Sequence, residues 1–171
     1  MGGPVVQQTV EVRRSPERRW LSTLIWVLLP FLAALIGSLF TAPAIPGWYA
    51  ELSKPDFTPP SSVFGPVWSF LYLIMGISAA IVWRHSWWDS LIHPLSFFIG
   101  QLILNTLWPI LFFGFHLLGA ALVEIVVLLI LIAITTAGFF RVHWLAGVLM
   151  LPYLGWACFA TLLNWEFWRL N

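Results

Sequence analysis

Charged side chains are scarce. Lys, Arg, Asp and Glu make up 9% of the 171 residues, against about 25% in an average soluble domain. A water-soluble globule of this size needs more charge than that to cover its surface, and an intrinsically disordered chain needs the opposite bias altogether. Both are excluded. Cysteine is almost missing: Cys158 stands alone, so there is no intrachain disulfide and no cysteine-based zinc site. The net charge is only +1. No basic stripe offers itself to nucleic acid, and no P-loop, Ser-His-Asp set or metal-ligand cluster is visible. Period-two apolar strands of the kind that build membrane barrels are also absent.

What is present is apolar and aromatic. Hydrophobic residues make up 60% of the chain, and 12 residues are tryptophan. Five apolar runs stand out: Leu21–Phe40, Phe64–Trp83, Ile92–Phe113, Leu117–Phe140 and Trp144–Phe167. Each is near the ~20 residues an α-helix needs to cross the hydrocarbon. The predicted fold is an all-α membrane protein, a five-helix bundle. Residues 1–20 form a polar tail, and residues 21–171 form one transmembrane domain. The first run is longer than the 7–15 residues of a signal-peptide core, so it is read as a span.

The connections predict the topology. Gly114–His116 and Arg141–His143 are so short that the last three spans must be antiparallel neighbours. Arg84–Leu91 is a modest loop. Thr41–Val63 is the long one, rich in proline (Pro43, Pro46, Pro55, Pro59, Pro60) and carrying Trp48, Tyr49 and Phe57. Loops of this length are usually functional. This one is expected to be a packed lid with a short helix near Trp48–Leu52. Arg13, Arg14, Arg18, Arg19, Arg84 and Arg141 fall on one side, and only Lys54 and Arg169 on the other. In a bacterial inner membrane the positive-inside rule then places the N-terminus in the cytoplasm and the lid outside.

Polar and aromatic residues at membrane depth mark the candidate site, because such groups usually face the bundle interior. Gln101, Asn105 and Trp108 share one face of the third span. They are either a pocket wall or interhelical hydrogen-bonding groups. Trp68, Tyr72, Met75 and Ala79 form a stripe on the second span, and Pro152, Trp156, Ala160 and Asn164 one on the fifth. Trp156 lies 12 residues past Trp144, roughly 18 Å along a helix, too deep for an interfacial belt. It is expected to form the floor of a volume capped by the lid. Capped volumes walled by aromatics and a few amides suit flat apolar ligands. Glu124 lies about 10 Å into the fourth span, where it either reaches a neighbouring helix or the interface, or serves as a proton or ligand site. Small residues four apart (Ala33/Gly37, Ala34/Ser38, Gly76/Ala80) permit close helix approach within a protomer or across a dimer. His85, His93 and His143 map to one side and His116 to the other, which disfavours a bis-histidine haem site.

Several ordered motifs carry a resemblance. The lid and second span read Trp48-Tyr49-x-x-Leu52-x-Lys54-Pro55-x-Phe57-x-Pro59-Pro60 and Phe64-x-Pro66-Val67-Trp68-x-x-Leu71-Tyr72-x-x-Met75-Gly76. The third span adds Gln101-Leu102-x-Leu104-Asn105-x-x-Trp108 and Phe112-Phe113. The fifth adds Pro152-Tyr153-x-x-Trp156-x-x-x-Ala160-x-x-Leu163-Asn164 and ends Arg169-Leu170-Asn171. Over roughly residues 30–171 the chain resembles the TspO/MBR family, the tryptophan-rich sensory and translocator proteins. The resemblance implies a five-helix bundle, commonly a homodimer, that binds porphyrins such as protoporphyrin IX as ligand, with no metal and no required cofactor. It places Tyr49, Trp68, Asn105, Trp108, Trp156 and Ala160 on the cavity wall. Lys54 is read either as a partner for a ligand carboxylate or as an interfacial anchor. The implied role is a tetrapyrrole sensor, regulator or carrier in porphyrin or stress metabolism. The alternative is light- and oxygen-dependent porphyrin breakdown using Trp68 and Trp156. The sterol pattern of eukaryotic relatives wants a tyrosine where this chain has Trp165, so sterol is not an expected partner.

Overall fold

The computed structural model describes residues 16–85 and 94–171, with side chains from Trp20 onward in the first segment. Its elements are α1 (Pro16–Ala44), α2 (Trp48–Glu51), α3 (Ser61–His85), α4 (Pro94–Pro109) with a π-helical turn (Ile110–Gly114), α5 (Leu118–Val142) and α6 (Trp144–Leu170). Among the described residues, five segments are long and apolar enough to cross a membrane. At 25 residues, three of them reach about 37 Å, more than the ~30 Å hydrocarbon core. The protein is a five-helix, multi-pass membrane protein.

The helices run further than the apolar pattern indicates. α1 begins at Pro16, inside the stretch read as a polar tail, and ends at Ala44. α3 begins at Ser61. The connection expected over Thr41–Val63 therefore shortens at both ends. Thr41 helps explain this: its hydroxyl donates to Gly37 O at 3.1 Å, and its carbonyl accepts Ile45 N–H at 3.2 Å, carrying the helix past Pro43. The short helix expected near Trp48–Leu52 is α2. Arg84 and His85 close α3 rather than opening a loop. Residues 1–15, and the positions of Trp87, Trp88, Ile92 and His93, lie outside the described residues.

Two tight turns set the order of α4, α5 and α6. His143 alone joins α5 to α6. Its N–H caps α5 by donating to Phe139 O at 2.9 Å, and its Nδ1 accepts Leu145 N–H at 3.2 Å to cap α6. Between α4 and α5, Phe115 N–H reaches Ile110 O at 2.9 Å, and His116 turns the chain with φ 58. That left-handed value is uncommon outside glycine, though histidine is among the residues enriched there. The His116 ring stacks on Trp48 of α2, centroids 4.1 Å apart and planes 14° apart.

The core lies along α3, α4, α5 and α6, with Met75, Phe98, Ile132, Phe139, Met150 and Tyr153 almost fully enclosed. α1 is peripheral and presents Ile25, Leu35 and Leu39 outward, as a lipid-facing helix does. Its contact with α3 is close at one point: a Cβ at Gly76 would collide with the Val27 carbonyl oxygen. Gly37 likewise faces the Pro109 ring, where a Cβ would lie 2.9 Å from Cγ. The small-residue pairs of α1 and α3 thus have a packing role inside one protomer.

Candidate functional site

A cavity of about 520 Å³ lies between the helices in the half of the bundle nearer α2. It falls within the ~300–1,000 Å³ range of small-molecule sites. Every helix contributes to its lining. Tyr49, Trp68, Asn105, Trp108, Trp156 and Ala160, the six wall residues expected from the sequence, all border it. The three indoles come from three different helices and converge on one volume.

The aromatic wall is built by stacking. Trp68 lies on Tyr72, centroids 5.3 Å apart and planes 29° apart, and meets Tyr153 edge-on at 6.3 Å. Trp108 stacks on Phe112 at 4.9 Å. Its indole N–H donates to Asn164 Oδ1 at 2.9 Å, and Asn164 Nδ2 donates to Leu118 O at 3.1 Å. The Trp108 ring is therefore held by α6, which is itself tied to the start of α5. Such aromatic pairs contribute about 0.5–1.5 kcal/mol each beyond burial.

The floor differs from the expected one. α3 and α6 run antiparallel, so Trp156 sits opposite Phe64, the fourth residue of α3, with ring centroids 6.2 Å apart. This makes Trp156 a side wall. Deeper lie Tyr72, Asn105 and Tyr153. Tyr72 OH donates to Asn105 Oδ1 at 2.6 Å, Asn105 Nδ2 donates to Tyr153 OH at 2.9 Å, and Tyr153 OH donates to Gln101 Oε1 at 2.9 Å. Asn105 and Gln101 thus divide the two roles the sequence left open. Asn105 both lines the cavity and bonds across helices, whereas Gln101 only bonds.

Sequence reasoning gave Tyr153 no role. The stripe read along α6 stepped by four, from Pro152 to Asn164, and a strict four-residue step drifts by about 40° each time. Pro152 in fact faces outward. The inward face runs Tyr153, Ala157, Ala160, Asn164 and Phe167, alternating steps of four and three. That spacing was the available signal.

At the α2 end, Tyr49 is buried between Phe113 (5.6 Å) and Phe167 (5.5 Å), and burial pushes its phenol pKa up from the ordinary value. Lys54 does not reach the lining. Its Nζ donates to Ala50 O at 3.0 Å and lies 5.1 Å from the Tyr49 ring centroid, a cation–π arrangement on the outer surface. Glu124 is enclosed on α5, and neither carboxylate oxygen finds a hydrogen-bond partner among the described residues. It does not line the cavity. His85 and His143 bring their rings within 4.7 Å at the opposite end of the bundle. Among the described residues no group of three His, Cys, Asp or Glu side chains could hold a metal ion.

Comparison with known proteins gives the chain's relatives. The profile of the TspO/MBR family matches residues 26–169. The tryptophan-rich protein TspO of Archaeoglobus fulgidus is 44% identical over 135 residues, covering 79% of this chain and 87% of that protein. The translocator protein of Homo sapiens is 39% identical, covering 89% and 91%. The tryptophan-rich sensory protein of Cereibacter sphaeroides is 40% identical, covering 85% and 92%. With the match spanning all five helices and the cavity they enclose, the chain belongs to the TspO/MBR family.

Proposed function

We propose that this protein binds a flat tetrapyrrole of the protoporphyrin IX type inside the membrane and acts as its sensor or carrier. The observation that supports this is the convergence of Trp68, Trp108, Trp156 and Tyr49 on one cavity of about 520 Å³. A tetrapyrrole is a broad π-surface with two carboxylates at one edge. The indoles offer it offset or edge contacts, and Asn105 stands ready at the deep edge of the ring. The carboxylates stay at the α2 end, where Lys54 leaves Ala50 to meet one of them and the 45–60 connection serves as the lid. In this proposal the N-terminus is cytoplasmic, the lid lies on the opposite side, and the working unit is a homodimer. Relatives named sensory protein and translocator protein fit a role in signalling or moving such a ligand.

Titrating the purified full chain with protoporphyrin IX in the dark tests the proposal. Binding quenches tryptophan fluorescence, and Trp68→Leu or Trp156→Leu weakens it about tenfold, equivalent to 1.4 kcal/mol of lost contact. Unchanged affinity in both variants overturns it.

A further inference from the structure

The cavity is not sealed on all sides. Six of its lining residues are exposed: Ser38 and Ala42 on α1, and Ser61, Ser62, Gly65 and Ser69 on α3. All are small, and they line one cavity from two helices, α1 and α3, that pack against each other along a seam. A Cβ built on Gly65 meets no atom within 4 Å. Ser38, Gly65 and Ser69 all fall within apolar spanning segments. Ser69 is eight residues into α3, about 12 Å along the helix. Their neighbours Leu35, Leu39, Phe70 and Leu73 are exposed and apolar, so this seam looks into hydrocarbon, not water.

The hydroxyls along the seam suit that solvent. Ser38 Oγ donates to Leu35 O at 2.7 Å, Ser69 Oγ to Gly65 O at 2.9 Å and Thr41 Oγ1 to Gly37 O at 3.1 Å. Each is satisfied by its own helix, which lets a polar residue face lipid without a water partner. The α2 end is held down by packing and hydrogen bonds. Tyr49 is wedged between Phe113 and Phe167. Asn171 grips both backbone groups of Ser53, accepting from its N–H at 2.9 Å and donating to its carbonyl at 3.1 Å.

We propose that the α1–α3 seam is a lateral port through which a planar, lipid-partitioned ligand passes directly between the bilayer and the cavity. The α2 end stays shut during exchange. This rests on the tetrapyrrole reading above for its ligand class, though the opening itself does not.

The test uses the full chain in lipid nanodiscs with protoporphyrin IX, followed by stopped-flow fluorescence. Gly65→Leu, Ser69→Phe and Ser38→Phe fill the seam from two different helices, so failure of one variant to fold leaves the others. Each slows both association and dissociation about tenfold, with Kd moving less than about threefold, the signature of a changed barrier and not of changed contacts. Asn171→Ala leaves both rates within about twofold of the starting protein. Unaltered rates in the folded seam variants overturn the port, as does faster exchange in Asn171→Ala alone. Absence of any porphyrin binding by the unaltered chain defeats the tetrapyrrole reading instead. Doxyl-labelled lipid is then the probe. Quenching that disappears in Trp68→Phe and falls in Gly65→Leu sustains the port, and no Trp68-dependent quenching overturns it.

Discussion

Asn171 holds Ser53 by both of its backbone groups, across 118 positions of sequence. The end of α6 is thereby tied to the segment that follows α2. Net hydrogen bonds of this kind are worth about 0.5–1.5 kcal/mol each. Asn171→Ala removes both. Amide exchange at Ser53 and its neighbours should then accelerate about tenfold or more, with the spanning helices unaffected. Hydrogen-exchange mass spectrometry of the two proteins reads this directly.

The Tyr72–Asn105–Tyr153–Gln101 chain predicts an asymmetry between its two tyrosines. Tyr153→Phe leaves both the Asn105 amide and the Gln101 carbonyl without their partner, in a fully enclosed site. Orphaning buried polar groups costs about 1–3 kcal/mol. Tyr72→Phe orphans a single acceptor, Asn105 Oδ1, on a side chain that borders the cavity, at a cost nearer the ~0.6 kcal/mol typical of hydrogen bonds in membranes. Thermal unfolding in detergent should show the larger drop in Tm for Tyr153→Phe. Equal drops would mean that the chain does not act as a unit.

Two glycines on different helices should respond oppositely to the same change. Gly76→Ala drives a methyl into the backbone of Val27, and overpacking costs about 1–3 kcal/mol. Gly155→Ala meets nothing within 4 Å, and replacing a helical glycine by alanine gains about 0.5–1 kcal/mol. Denaturation of the pair therefore gives shifts of opposite sign.

Tyr49 supplies a pH dependence. Burial raises its phenol pKa in the folded protein above the ordinary value of 10.0. The folded state then holds its proton more tightly than the unfolded state, so this contribution is complete below pH 10. It is lost as pH rises through the elevated folded pKa. Proteolysis within residues 45–60 should accelerate over that alkaline window, and Tyr49→Phe should flatten the response.

Much of this architecture could be read from the chain alone. The five apolar runs, the antiparallel order imposed by Gly114–His116 and Arg141–His143, and the wall residues Trp68, Asn105, Trp108 and Trp156 all follow from length, spacing and motif. The depth ranking inside the cavity does not. Trp156 counted from Trp144 looks deep, but its height against the other helices depends on how α3 slides along α6, and packing at Phe64 sets that. The π-helical turn after Pro109 was equally hidden. It inserts an i to i+5 bond from Phe115 N–H to Ile110 O, and the ring that packs on it, Trp48, comes from α2, meeting Phe112 edge-on and stacking on His116. Glu124 shows the same limit: its position in the fourth span left a neighbouring helix, the interface and a proton or ligand site all open, and its carboxylate has no hydrogen-bond partner among the described residues.

The contact of Gly76 with Val27 also has a mechanical consequence. It lies 11 residues along α1 from Ser38, about 16 Å at helical rise. Backbone packed against backbone there makes a fulcrum, and the longer arm of α1 runs past Ser38 to Ala44. A rocking of α1 by only about 5° about that point displaces Ser38 by about 1.4 Å, by the same geometry, while the fulcrum itself barely shifts.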